Sequence, residues 1–508
     1  MKKIFISLMM VLGLGLLSSC DMDKKEFGSL DETTAIRNLE DLGRFRLGVY
    51  TSLRGMTVGG WITNKDLQMD EFHGLISNGN RGGEFSNGLL TSSQRDIEGM
   101  FAGCYSRIAT ANYLIEKANE LEATGAYEGN NLATLKRYKA EGYFLRAFCY
   151  FFLADHFSQS YTQIADPAKD GTGAMIVTKY DPSGDITKYP SRSSLEATYT
   201  LIENDLKEAY NGLKAFEEVD PSNVAPNATY LSSYAVEAMQ ARVALDKGDY
   251  KTALSKAQDV IVCGAYELTS IEDYAKMWRD DEGSEVIFRC FMSNTESPAS
   301  TGSAYTASNA ENAADYIPTH STLAMYEEGD VRVETYFKLW TLDIEGSGYP
   351  AFVFLKYPGN PALWTTAQNN FANMPKVFRL SEMYLVAAEA ATHVDGADPN
   401  PYLNELRKNR IADYEEANYS SSVVMNEIRI ERECELLGEG FRMSDLRRWG
   451  MGFQRYASHD ELPDLDNVVV AAGRALKYEK DDYRFTWPIP KTEMDSNPNL
   501  KGQQNPGY

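Results

Sequence analysis

Five histidines, His73, His156, His320, His393 and His459, are spread through the 508 residues. None stands in an HExxH, GxSxG or P-loop pattern, the spacings that bring a metal, an activated nucleophile or a phosphate cradle. The 73 acidic residues could supply the two carboxylates, about 5 to 10 Å apart, that a glycosidase uses, but nothing in their order along the chain supports that geometry. Cys104, Cys149, Cys263, Cys290 and Cys434 have no CxxC spacing, so zinc and dithiol chemistry have no support. At least four of the five have apolar or helix-forming neighbours and are expected as small buried hydrophobes. No catalytic residue, metal or cofactor is expected. What the chain does carry is rings: aromatic residues make up 12% of it, 31 of them tyrosine. Rings can fill a core or present flat contact faces with a polar rim, and position decides which. Two irregular stretches set them beside amides and charges, residues 61–95 and residues 291–375.

Cys20 offers chemistry of another kind. Lys2 and Lys3 open a segment that is apolar from Ile4 to Leu17 and then meets Ser18, Ser19 and Cys20, the three-part layout of a secretory leader. The apolar run is shorter than the about 20 residues a spanning helix needs. Small residues before a cysteine resemble the lipobox of bacterial lipoproteins, which implies cleavage ahead of Cys20 and its acylation. At about 0.8 kcal/mol per buried methylene, three acyl chains hold a protein at a membrane without measurable release. Residues 1–19 then form the leader, and the charged, aperiodic residues 20–35 a flexible tether.

Length and a hydrophobic content of 43% fit a globular protein with a sizeable core, and the formal net charge is −23. Loss of Lys2 and Lys3 with the leader makes the mature chain more acidic still. Such a surface repels phosphate backbones, so nucleic acid is not an expected partner.

The elements that must hold these residues are mostly helices. Leu39, Leu42, Phe45, Val49 and Leu53 recur at three and four residues and predict one amphipathic helix ending at Gly55. A glycine- and asparagine-rich span at 74–93 is too long for a mere connector. Helical periods return through Phe101, Tyr105, Ile108 and Ile115, and again over 131–156, where Ala140, Gly142 and Ala147 alternate with Phe144, Phe148 and Phe151. Small residues let a second helix approach while rings fill the groove. Residues 234–262 set two helical patterns around Gly248-Asp249-Tyr250, with Ala253 and Ala257 following, which resembles a tetratricopeptide repeat. A weaker copy spans 378–391 and 402–409. Within 291–375 every period is broken, with a short helix predicted at 321–326 and strands at 337–342 and 352–356.

Residues 424–450, VMNEIRIERECELLGEGFRMSDLRRWG, predict a helix with Ile430, Cys434, Leu437 and Phe441 on one stripe, and with Arg429–Glu433 and Arg432–Glu435 in reach for pairing. The string resembles the signature of the SusD/RagB family of outer-membrane nutrient-binding lipoproteins, an RxxRxxELxxEGxRxxDLxRWG run. Arg429, Arg432, Glu435, Leu436, Glu439, Gly440, Arg442, Asp445, Leu446, Arg448, Trp449 and Gly450 match in order. The ending, from Trp487-Pro488-Ile489-Pro490 through Asn497-Pro498-Asn499-Leu500 to Gln504-Asn505-Pro506-Gly507-Tyr508, resembles the family's C-terminus. One departure is Phe101, where many relatives have tryptophan. The charged set at 429–448 is expected as a buried ion network that fixes the C-terminal helices rather than as a ligand site.

The resemblance implies a mainly α fold, a SusD-like superhelix of tetratricopeptide-like repeats with long irregular insertions and minor β, with an N-terminal repeat region at 36–275 and a C-terminal region at 276–508. It implies a surface lipoprotein that binds an oligosaccharide and closes over a TonB-dependent, SusC-like transporter. Peptide or glycopeptide is the alternative ligand, and a glycoside hydrolase the reading from a different class. A pyranose presents apolar C–H faces and a hydroxyl rim, so its site needs ring platforms beside paired hydrogen-bonding side chains. Trp61, Asp70, Asn80, Arg81 and Phe85 in the first stretch, and Tyr305, Asn309, Tyr316, Trp340 and Trp364 in the second, are the candidates on that chemistry.

Overall fold

The computed structural model describes residues 35–296, 299–306, 312–455 and 463–508. The segment expected as a leader, Cys20 and Asn309 lie outside the described residues. The protein is mostly helical, and its strands form small two-stranded antiparallel sheets. No helix among the described residues is long and apolar enough to cross a membrane.

Helix pairing follows from where side chains shrink. The Arg95–Ala123 and Gly129–Phe157 helices approach so closely at Gly142 that a Cβ there would stand 3.1 Å from Ile115 and 3.2 Å from Leu114. The Leu195–Glu217 helix then packs on the other side, where a Cβ at Gly212 would stand 2.7 Å from Ala140 Cβ and 2.8 Å from the Lys136 carbonyl. The repeat turn has the expected mechanism: Gly248 closes the Ser233–Lys247 helix at φ +81°, a conformation that favours glycine. Asp249 then caps the Tyr250–Ile261 helix by accepting from the Thr252 N–H. Ala253 and Ala257 are fully buried, and Tyr250 stacks on His393 with ring centres 3.8 Å apart. The weaker copy forms the Leu380–Ala391 and Asn400–Lys408 helices.

Three expectations change. The stretch read as one helix over 38–55 is divided at Arg46 into Leu39–Phe45 and Leu47–Met56; Arg46 keeps helical angles and buries its guanidinium 2.8 Å from both oxygens of Glu141. Residues Gly60–Gln68, read as loop, form a helix. Its buried residues Thr63, Asn64, Lys65, Asp66 and Gln68 are polar and only Leu67 is apolar, so no apolar period shows. The insertion carries a longer hairpin than expected, Phe337–Ile344 (β4) against Ser347–Phe354 (β5), and two short helices, His320–Leu323 and Val331–Tyr336, where one was expected at 321–326. The remaining strands that matter are Phe72–Gly74 (β1), Val286–Arg289 (β2), Tyr316–Pro318 (β3) and Lys376–Arg379 (β6), paired β1 with β3 and β2 with β6.

The main apolar core runs from Leu42 and Leu53 through both long helices and the repeat to Phe288, Phe378, Val386 and Trp487, so residues from both halves of the chain share it. Cys104, Cys149, Cys290 and Cys434 are buried and Cys263 is partly exposed; all five are free thiols.

Candidate functional site

The two irregular stretches meet. β1 and β3 pair with His73 opposite Ile317 and Gly74 opposite Tyr316, and the Leu75 N–H extends the ladder to the Asp315 carbonyl at 2.9 Å. On the other side Ile76 N–H donates to Val468 O at 2.8 Å and Val470 N–H to Gly74 O at 2.8 Å. The first loop is thereby stapled between the insertion and a C-terminal segment.

Beneath this surface Leu75, Ile317, Leu342, Ala351, Val353, Leu465 and Val469 form a small apolar cluster. The hairpin covers it with one face. Strand alternation sends Trp340, Leu342 and Ile344 of β4 the same way as Tyr349, Ala351 and Val353 of β5. The register sets Trp340 opposite Ala351 and Leu342 opposite Tyr349, which makes Trp340 and Tyr349 diagonal neighbours. Both rings pack against the cluster and are only partly buried.

In the turn that follows β1, Asn80 and Arg81 are exposed. Asn80 has φ +64°, and its N–H donates to the Asn78 side-chain oxygen at 2.7 Å, which fixes the turn. The exposed Arg81 guanidinium is ion-paired with the buried Asp315 carboxylate. The Arg81–Asp315 pair joins this turn to the segment that leads into β3.

The other candidates are placed elsewhere. Phe85 is fully buried with its ring 5.5 Å from Trp487. Tyr305 is fully buried between Phe72 at 4.7 Å and Phe354 at 4.8 Å. Tyr316 is buried, its hydroxyl donating to the Arg81 carbonyl. These three rings are core, with no face left for a ligand, because each finds aromatic or backbone partners far along the chain. Asp70 is held by Arg442 through bonds of 2.8 and 2.7 Å; burial pushes its carboxyl up, but the guanidinium outweighs this and leaves it below the usual carboxylate range. Trp61 lies in the Gly60–Gln68 helix, 4.8 Å from Phe152 and under the Arg107 guanidinium, and lines a cavity. Trp364 is half-buried and follows Leu363, which packs with Val58, Met292 and Ala372, a cluster separate from that of Trp340. Of the ten candidates, Asn80, Arg81 and Trp340 are the ones left at the surface of the two stapled stretches without a core role. Tyr349 and Ile76, 42% exposed, join them there. The alternation of β4 and β5 was the signal for Tyr349; nothing local marks Ile76.

The charged signature is a buried network, and its pairs run between elements. Glu435 takes Arg379 at 2.6 Å, Arg410 at 2.9 Å and Arg332 at 3.3 Å, and Arg379 and Arg410 also hold Glu285 at 2.7 and 2.8 Å. Burial pushes the Glu435 carboxyl up, and the three guanidiniums outweigh it, so it lies well below the ordinary range. Arg432 pairs with Asp445 at 2.9 Å rather than with Glu435, Glu433 pairs with Arg442, and Arg429 lies over Trp449. The along-helix pairs expected from spacing lose to partners on other elements because a buried carboxylate needs several donors.

The comparisons with known proteins agree with this architecture. A family model described as "SusD family" matches residues 343–508, and one described as "Starch-binding associating with outer membrane" matches residues 62–245. A SusD-like protein P25 from Formosa agariphila is 28% identical over 200 residues, 38% of this chain; the match spans about a third of that relative, 32% of its length. Among solved structures, a SusD superfamily protein from Bacteroides thetaiotaomicron is 26% identical, with 92% of this chain and 100% of that chain covered and a TM-score of 0.75. A putative sugar binding protein from Bacteroides vulgatus is 25% identical, with 94% and 100% covered and a TM-score of 0.74.

Proposed function

Because the chain belongs to the SusD/RagB family, we propose that it captures an oligosaccharide on the loop-built face around Trp340 and delivers it to a TonB-dependent, SusC-like transporter in the outer membrane. The observation that carries the reading is the pair of half-buried rings Trp340 and Tyr349 packed on the cluster that holds Leu75 and Ala314, from whose segments the exposed Asn80 and the Arg81–Asp315 pair also arise. A sugar ring stacks on the indole through its C–H face, while the amide and the guanidinium meet the hydroxyl rim. The structural relative named a putative sugar binding protein supports the ligand class. In this reading Cys20 carries the lipid anchor, the repeat-bearing N-terminal half contacts the transporter, and the protein acts as a binder rather than a hydrolase.

A glycan array followed by calorimetry on the form lacking residues 1–20 tests the ligand. Trp340→Ala is expected to weaken the best glycan about tenfold or more, as loss of a central aromatic contact does. Unchanged affinity in that variant, or peptide binding without glycan binding, would overturn the assignment. New reducing ends in the incubated glycan would identify a hydrolase instead.

A further inference from the structure

The cavity that Trp61 lines lies where the Gly60–Gln68 and Gly129–Phe157 helices face the repeat and the charged signature. Aromatic rings follow one another along it. Trp61 packs 4.8 Å from Phe152, and Phe148 stands one helical turn before Phe152 on the same helix face. Phe148 stacks on Phe144 with ring centres 6.2 Å apart, and Phe144 meets Phe378 at 6.3 Å. The Arg242 guanidinium then lies 4.5 Å over Phe378 and 5.0 Å over Phe441. Of this arc Trp61, Phe148, Phe152, Arg242 and Phe441 line the cavity, and Phe151 joins them. All but Phe152 are only partly buried, so the arc is not sealed as a core would be. Apolar surface gathered in a concave place and left open is where proteins bind small molecules.

The polar part of the wall narrows what that molecule can be. Lys65 pairs with Asp155 at 2.5 Å, Arg242 with Glu382 at 2.6 Å and Lys376 with Asp281 at 2.9 Å, and the signature arginines hold the carboxylates described above. Asp246 accepts from the Tyr199 hydroxyl, and burial with Asp155 nearby pushes its carboxyl up. His156 is pushed down to about 3 by burial and by Lys65, so its ring is neutral. A charged ligand would bring a charge that this wall does not answer. A sugar could lay its C–H face on the rings, but hydroxyls turned to the wall would meet groups already paired. A saturated ring would fit the apolar part and forgo the edge-to-face contacts and the attraction of Arg242 for a π face. A neutral arene keeps both. It also finds one donor: Arg242 spends Nε and Nη2 on Glu382 and the Val377 carbonyl, which leaves Nη1 without a protein partner on a side chain that is 16% exposed.

We propose that this cavity binds a small neutral aromatic molecule of the phenol class, its ring among Trp61, Phe148 and Phe441 and its hydroxyl oxygen accepting from Arg242 Nη1. The site is separate from the loop face and does not depend on a sugar being captured there.

In calorimetry para-cresol is the probe, with cyclohexanol, methyl glucoside and benzoate as controls; crystals are soaked in para-bromophenol. The expected result is one para-cresol site, controls that bind about tenfold or more weakly, and a single bromine anomalous peak inside the cavity. Phe148→Ala removes a ring of the arc and weakens para-cresol about tenfold. Ile62→Trp, at a partly buried residue of the wall, fills the cavity and abolishes binding, whereas Trp340→Ala leaves it unchanged. No binding of para-cresol, a bromine peak only elsewhere, a control that binds as well as para-cresol, or wild-type affinity in Phe148→Ala would overturn the proposal. If Ile62→Trp fails to fold, the Phe148 variant and the bromine peak decide. Failure of the loop-face reading shows separately, as retained oligosaccharide affinity in Trp340→Ala.

Discussion

Asp66, Asp70, Glu71 and Glu433 are four acidic side chains gathered near one arginine, Arg442, and only part of their charge is matched. Asp70 and Glu433 take the guanidinium. Asp66 instead accepts from the Gly440 N–H at 3.1 Å and the Tyr305 hydroxyl at 3.4 Å, and burial pushes its carboxyl up to about 7. Burial likewise raises Glu433 to about 7 and Glu71 well above its ordinary value. The sign follows from proton counting. Between the unfolded value near 4 and the folded value near 7, the native protein holds a proton that the unfolded chain has released, so stability falls as pH rises through that window. One such group contributes a slope of up to about 1.4 kcal/mol per pH unit. Asp66→Asn removes one group from the slope, so its stability relative to wild type is expected to improve between pH 5 and pH 7.5. Urea unfolding of both proteins at the two pH values checks this, and parallel changes would sink it. The same residues show why the candidate site was only partly legible in the sequence. Tyr305 and Tyr316 stand among glycine, serine and asparagine, where a ring has no local reason to be core. Their partners, Phe72 and Phe354 for one and the Arg81 carbonyl for the other, become visible only once β1 and β3 have paired. Trp340 remained a surface candidate because its strand covers a small cluster with one edge open.

Helices were legible where the period is apolar and hidden where the buried face is polar. The repeat around Gly248 could be read because a glycine turn, a capping aspartate and two alanines each have a local mechanism. The Gly60–Gln68 helix could not, because Lys65 and Asp66 find their partners in Asp155, Gly440 and Tyr305, which lie far along the chain. Glycines inside helices make the role of neighbours measurable. A Cβ at Gly99, in the Arg95–Ala123 helix, meets nothing within 4 Å. Gly99→Ala is therefore expected to stabilise the protein by about 0.5 to 1 kcal/mol, the helix preference of alanine over glycine. At Gly212 the same methyl would press on Ala140 Cβ at 2.7 Å and on backbone at 2.8 Å. Backbone cannot swing aside, so Gly212→Ala is expected to cost about 1 to 3 kcal/mol as overpacking. Denaturant melts of the two variants should move in opposite directions; movement in the same direction would show that helix propensity, and not contact between helices, governs Gly212.

At the scale of the molecule, the last segment closes the fold by reaching back across the first helices. The Trp487 N–H donates to the His156 carbonyl at 2.7 Å and its indole N–H to Gln68 at 2.8 Å. The Lys491 N–H donates to the Ser92 carbonyl at 2.7 Å, and Asn497 reaches the Pro190 carbonyl at 2.9 Å. At the centre is Arg192, buried without a carboxylate; burial lowers its guanidinium to about 10. It donates to carbonyls of Phe157, Thr172, Gly173 and Gln503 and to the Asn505 side-chain oxygen at 2.8 Å. Asn505 in turn donates to the Phe157 carbonyl at 2.8 Å and the Trp487 carbonyl at 2.7 Å. This amide thus ties the chain's end, the Gly129–Phe157 helix and the loop before the Leu195–Glu217 helix into one buried polar knot, which the shared core surrounds. Asn505→Ala leaves two buried carbonyls and one arginine N–H without that partner, at an expected cost of about 2 to 4 kcal/mol in global stability. Because the knot joins the chain's last segment to the Gly129–Phe157 helix, the loss should appear in hydrogen exchange as faster exchange in the Arg95–Ala123 and Gly129–Phe157 helices as well as in residues 486–508. Faster exchange confined to 486–508 would mean that the tail opens by itself, and that the two halves, although they share a core, do not unfold as one unit.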